Sequence, residues 1–188
     1  MRLQMARKLE SPCPRDDESR KKRVLTVAGV QVRWRSDGES HRRALAEGIA
    51  MAADAGAEIV FLPELTMLRY MADHRPDDGK RSTMSESLED GPSLTFLREQ
   101  AVRHEIHING SVFERTGSEE ERGFNTSVLI DPTGNIIGRT RKMHIPVTTG
   151  YFENEYFIPG PANPAAYTTT CPGQAPLPTS PPDAAAQP

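Results

Sequence analysis

The chain of 188 residues has little of several things, and each shortage narrows its class. It has only two cysteines, Cys13 and Cys171, near opposite ends. A disulfide-stapled secreted domain would carry a closely spaced even set instead. No run approaches the roughly 18 uninterrupted apolar residues of a membrane helix, and no apolar core of a secretory signal follows the first residues. The expectation is therefore a cytoplasmic protein with no membrane partner. Glycine-rich phosphate loops of the P-loop or dinucleotide type are absent, so nucleotide binding has no support. Neither sign of charge dominates: Lys+Arg 23 stand against Asp+Glu 26, for a net charge of -3.

What charge bias exists is local. Residues 1–23 hold eight basic side chains against four acidic ones, with few large apolar residues. Such a segment is expected to be a disordered basic extension. The run Arg20 to Arg23 is read as solvated charge, and no nucleic-acid partner is expected from an otherwise acidic chain. Residues 161–188 contain eight prolines and seven alanines with a single charge, Asp183. Proline supplies no backbone donor and stops helices, so this tail is read as disordered or polyproline-like. The packed part should span 24–160.

Within it, strands and helices alternate. Val24 to Val32 is almost continuously apolar and β-branched, which predicts a central strand covered on both faces. Ser40 to Ala55 places Ala44, Leu45, Ile49 and Ala52 at helical spacing, with Gly56 as a stop. Glu58 to Leu62 reads as a second buried strand, giving a parallel crossover. A second amphipathic helix is predicted over Pro92 to Glu105, with Ser93 as its N-cap. Strands follow at Ile106 to Glu114, Asn125 to Ile130 and Ile136 to Arg141. The last two flank Asp131-Pro132-Thr133-Gly134-Asn135, a turn sequence. The fold class is α/β with a mixed sheet.

Several residues are candidates for chemistry. Glu64 directly follows a buried strand, where open α/β folds build their sites; it is a general base or simply a loop carboxylate. Lys142 lies between a strand and a proline-punctuated loop, as an oxyanion-stabilising cation or a solubilising charge. Glu153 and Glu155 fall in an aromatic-dense loop that walls a pocket or buries a loop. His104-Glu105-Ile106-His107 is one residue short of the zinc motif and straddles a helix-to-strand change, so no metal site is expected. His144 is read as a brace for the lysine loop.

Together these pieces resemble a known family. A first strand with Gln31, then FLPEL with Glu64, then FNTSVLIDPTGNIIGRTRKMHIP with Lys142, then GYFENEYFIPG, are similar in order and spacing to the nitrilase superfamily of carbon-nitrogen hydrolases. Within it the chain looks most like the N-carbamoylputrescine amidase group, although Asn154 stands where that group's pattern has a lysine. The resemblance implies the N-terminal part of a four-layer α-β-β-α sandwich, with a possible homo-oligomer. It also implies hydrolysis of a small amide or N-carbamoyl substrate, such as N-carbamoylputrescine, by a Glu-Lys-Cys mechanism without metal or organic cofactor. By motif match Glu64 takes the place of the general base, Lys142 that of the oxyanion-holding cation, and Glu153 that of a substrate-orienting glutamate. The family's nucleophilic cysteine follows a hydrophobic strand after the Pro-Gly turn, and no such strand follows Pro159-Gly160 here. Cys171 lacks that context and is expected to be a poor nucleophile. The abrupt change in composition near Gly160 reads as a frameshift or early stop. The alternative to an active hydrolase is then a catalytically inactive truncated remnant that at most pairs with an intact subunit.

Overall fold

The computed structural model describes residues 1–6, 25–76, 84–117 and 122–161. Most of the basic N-terminal segment, the proline-rich tail beyond residue 161, and both Cys13 and Cys171 lie outside the described residues.

Five strands form one mixed sheet in sequence order: β1 (Val27–Gly29), β2 (Ile59–Phe61), β3 (His107–Glu114), β4 (Phe124–Ile130) and β5 (Ile136–Arg141). The first three are parallel, and β3, β4 and β5 run antiparallel. Helix α1 (Gly38–Asp54) connects β1 to β2, and α2 (Pro92–His104) precedes β3. A single turn of helix, α3 (Glu153–Tyr156), follows the hairpin. This mixed α/β sheet is the expected fold class.

The helices begin where local chemistry allows. Asp37, the N-cap immediately before α1, accepts the Ser40 backbone N–H at 3.0 Å, so the helix starts earlier than the apolar spacing predicted. Helix α2 corrects the expected Ser93 cap. Its N-cap is Gly91, with Pro92 in the first turn and no capping side chain of its own. The orphan N–H groups of Ser93 and Leu94 instead donate to the Glu86 carboxylate at 3.0 and 3.2 Å. Burial pushes Glu86 above the ordinary carboxylate range, and these donors only partly offset it.

The core lies between the sheet and the two long helices. Leu45, Ile49, Val60, Leu94, Leu97, Ile108, Val128 and Ile130 are all fully enclosed. Gly110 in β3 lies so close to Leu97 that a Cβ would overlap the leucine methyls, so glycine sets how closely α2 approaches the sheet. Alternation sends the other residues of β3 and β4 to the outer face. There a smaller apolar cluster gathers around Phe113 with Leu65, Met71, Tyr156 and Phe157.

Strand β1 departs from expectation. It stands at the end of the strand order, not the centre, and Leu25 and Val27 remain 49% and 54% exposed. An apolar run records what the strand would tolerate as cover. Among the described residues β1 pairs with β2 alone. The β4–β5 hairpin also holds an irregularity: Leu129 faces Gly138 but Ile130 faces Ile136, so Ile137 is an extra residue in β5.

Candidate active site

Glu64 is delivered by the exit from β2. Leu62 N–H still bonds to the Asn109 carbonyl at 2.9 Å, but Pro63 has no N–H and ends the ladder. Leu65 then adopts a left-handed φ of 50° while its side chain is fully buried. That conformation is costly for a residue other than glycine and persists only where the surroundings enforce it. Thr66 supplies the enforcement. Its N–H donates to the Ser111 carbonyl at 2.9 Å, and its hydroxyl donates to the Pro63 carbonyl and accepts the Ser111 N–H. The buried His41 ring places Nε2 3.0 Å from the Thr66 carbonyl, tying α1 to the same turn.

Lys142 lies one residue past β5. Its N–H donates to the Asn125 carbonyl at 2.8 Å and its carbonyl accepts the Gly160 N–H at 2.9 Å, so the backbone is fixed on both sides. Glu153 opens α3 with its side chain 3% exposed. The three groups meet. Lys142 Nζ is 3.2 Å from Glu64 Oε1 and 2.9 Å from the Glu153 carboxylate. Burial opposes the ammonium charge, yet the bonds to Glu153 and Glu64 and their negative charges outweigh it and raise Lys142 above the ordinary lysine value. The Tyr70 hydroxyl donates to Glu153 Oε1 at 2.6 Å, and burial together with that carboxylate pushes the phenol well above its usual range. Asn125 Nδ2 donates to Glu64 Oε1 at 2.6 Å.

The structure thus joins Glu64, Lys142 and Glu153, which are far apart in sequence, and adds Tyr70 and Asn125, which sequence reasoning passed over. Asn125 left a trace, as an amide inside an otherwise strand-favouring run; Tyr70 left none. Glu155 turns away and pairs with Arg75. His144 is exposed and forms no hydrogen bond among the described residues, so it does not brace the loop. No group of three or more His, Cys, Asp or Glu positioned to hold a metal ion occurs among the described residues. A surface cavity of about 610 Å³ opens elsewhere, beside Leu88, Arg115, Ile136 and Arg139. Its lining, which includes Glu89 and Glu114, does not include Glu64, Lys142 or Glu153.

Residues 26–175 match the family model described as carbon-nitrogen hydrolase. The chain belongs to the carbon-nitrogen hydrolase family. Among its relatives, a citrullinase from Francisella tularensis is 31% identical over 138 residues, covering 73% of this chain and 46% of that protein. An N-carbamoylputrescine amidase from Arabidopsis thaliana is 31% identical over 142 residues, covering 74% and 45%. The fold is shared with a carbon-nitrogen hydrolase from Helicobacter pylori, at a TM-score of 0.64 and 24% identity over 73% of this chain and 45% of that one. The chain therefore spans about half the length of the family relatives it matches. No described helix is long and apolar enough to cross a membrane.

Proposed function

We propose that this carbon-nitrogen hydrolase chain carries the carboxylate and ammonium components of a thiol-dependent hydrolysis of a small amide or N-carbamoyl compound. The observation that carries the reading is one ammonium, Lys142 Nζ, held within 3.2 Å of Glu64 and 2.9 Å of Glu153. An amide is a weak electrophile with a poor leaving group, so three tasks must be met. Glu64 takes the proton of the attacking thiol. Lys142 stabilises the negative oxygen of the tetrahedral intermediate. The proton held on Glu64 then passes to the departing nitrogen as the C–N bond breaks, leaving a thioester that water hydrolyses. Glu153 keeps Lys142 charged and orients the substrate. The citrullinase and the N-carbamoylputrescine amidase are named for carbamoyl compounds, which supports an N-carbamoyl substrate.

The test is ammonia release by the full chain from N-carbamoylputrescine, citrulline and simple carboxamides. Release that Cys171→Ala abolishes and that Glu64→Gln lowers by at least about 100-fold supports the reading. Lack of release at every enzyme concentration overturns it, leaving a role in pairing with an intact subunit to be sought by co-purification.

A further inference from the structure

We propose that Asn125 is a positioning residue, a clamp that fixes Glu64 with Oε1 occupied and Oε2 left as the oxygen that takes and returns the proton. The inference rests on the reading of Glu64 as the base. Glu64 Oε1 accepts two donors, Asn125 Nδ2 at 2.6 Å and Lys142 Nζ at 3.2 Å. Oε2 meets no donor among the described residues. A half-exposed glutamate has several rotamers open to it, and a second donor on the same oxygen removes most of that freedom.

The clamp is itself held in one orientation. An amide nitrogen only donates and an amide oxygen only accepts. An ionised Glu64 carboxylate only accepts, so Nδ2 must face it, and the Ser111 hydroxyl, 3.1 Å from Asn125 Oδ1, donates to the amide oxygen on the other side. Ser111 is bound in turn to Thr66 through its N–H and its carbonyl, and Thr66 belongs to the turn that carries Glu64. The circuit Glu64, Asn125, Ser111, Thr66 therefore closes on itself. The Asn125 backbone carbonyl also accepts the Lys142 N–H at 2.8 Å. One buried residue thus places the carboxylate with its side chain and the ammonium with its main chain, and so sets the distance between them. An aspartate there would repel Glu64, a leucine would have no donor, and a serine would be too short to reach.

Two measurements on the full chain test the clamp. In side-chain amide spectra, one Asn125 Hδ2 proton should resonate downfield of solvent-exposed amides and return upfield in Glu64→Ala, a change at a half-exposed side chain that spares the fold. In ammonia-release kinetics, Asn125→Ser and Asn125→Asp should each lower kcat by at least about tenfold while KM stays within about twofold, because misplacing the base slows the chemical step without removing a substrate contact. An Asn125 resonance that Glu64→Ala leaves unmoved overturns the clamp, as does an Asn125→Ser enzyme with unchanged kcat. An unmodified chain that releases no ammonia overturns the reading of Glu64 as the base; the amide shift alone then decides whether Asn125 holds that carboxylate.

Discussion

Glu153 is almost entirely enclosed, and a carboxylate in that position needs a positive partner close by. Lys142 is that partner, so the residue proposed to hold the oxyanion also holds the local fold. Replacing it with methionine should destabilise the chain by about 3 kcal/mol by stranding Glu153. Adding Glu153→Gln to Lys142→Met should recover part of the loss, which a double-mutant cycle by urea unfolding would read. Glu64 is different, because its side chain is 47% exposed and its removal leaves no buried charge unpaired, Lys142 keeping Glu153. Loss of activity without loss of stability is thus expected at Glu64 and not at Lys142. Glu64, Lys142 and Glu153 were legible because short sequence patterns surround each of them. Asn125 and Tyr70 were not, since their bonds to Glu64 and Glu153 join residues 61 and 83 positions apart, and nothing local announces such a contact.

The elements are tied together by carboxylates that belong to none of the proposed chemistry. Glu114 at the end of β3 accepts Thr126 Oγ1 of β4 at 2.6 Å and Arg141 Nε of β5 at 2.8 Å, with a second Arg141 bond to its other oxygen. Arg141 also stacks on Phe124, 4.0 Å from the ring centroid. Burial by itself would lift Glu114, but the bonds to Arg141 and Thr126 and the arginine charges win and hold it below its ordinary value of 4.5. A depressed carboxylate contributes stability that is fully present above pH 4.5 and is lost as the pH falls through the lowered folded value. Glu86 has the opposite sign, so the two must be separated by mutation. The loss of thermal stability below pH 4.5 should be shallower in Glu114→Gln than in the unmodified chain. Helices and strands were predicted from periodicity to within two residues of their ends, except β1, expected over Val24 to Val32 and observed over Val27–Gly29, and the short α3, expected as a loop. The cap of α2 was not, because a glutamate outside the helix replaced the side chain that local rules would have chosen.

At the scale of the whole molecule, helices cover one face of the sheet, and the other face carries both the Phe113 cluster and the charged site. The order of strand and helix could be read from the sequence, but the place of β1 could not. The same apolar run serves a covered strand or an edge, and only the neighbours decide which. Among the described residues the free side of β1 presents unpaired backbone groups beside the half-exposed Val27, a template for pairing with another chain. Val27→Lys should therefore reduce concentration-dependent association in sedimentation velocity while leaving the far-ultraviolet circular dichroism unchanged. Equal association by both proteins would mean that this edge is covered.

The extra residue in β5 bears on all of this. Residues facing each other across a hairpin share a side of the sheet, and Lys142 faces Asn125 only because Ile137 is accommodated as a surplus position. Were the same residues paired without a surplus position, Arg141 would come opposite Asn125 and Lys142 would turn toward the helices. Two adjacent cations would exchange places, the guanidinium meeting Glu64 and the ammonium meeting Glu114. The identity of the group that confronts the substrate is thus decided by arithmetic in the hairpin, and an unbulged register there would rewrite the site without altering any residue in it.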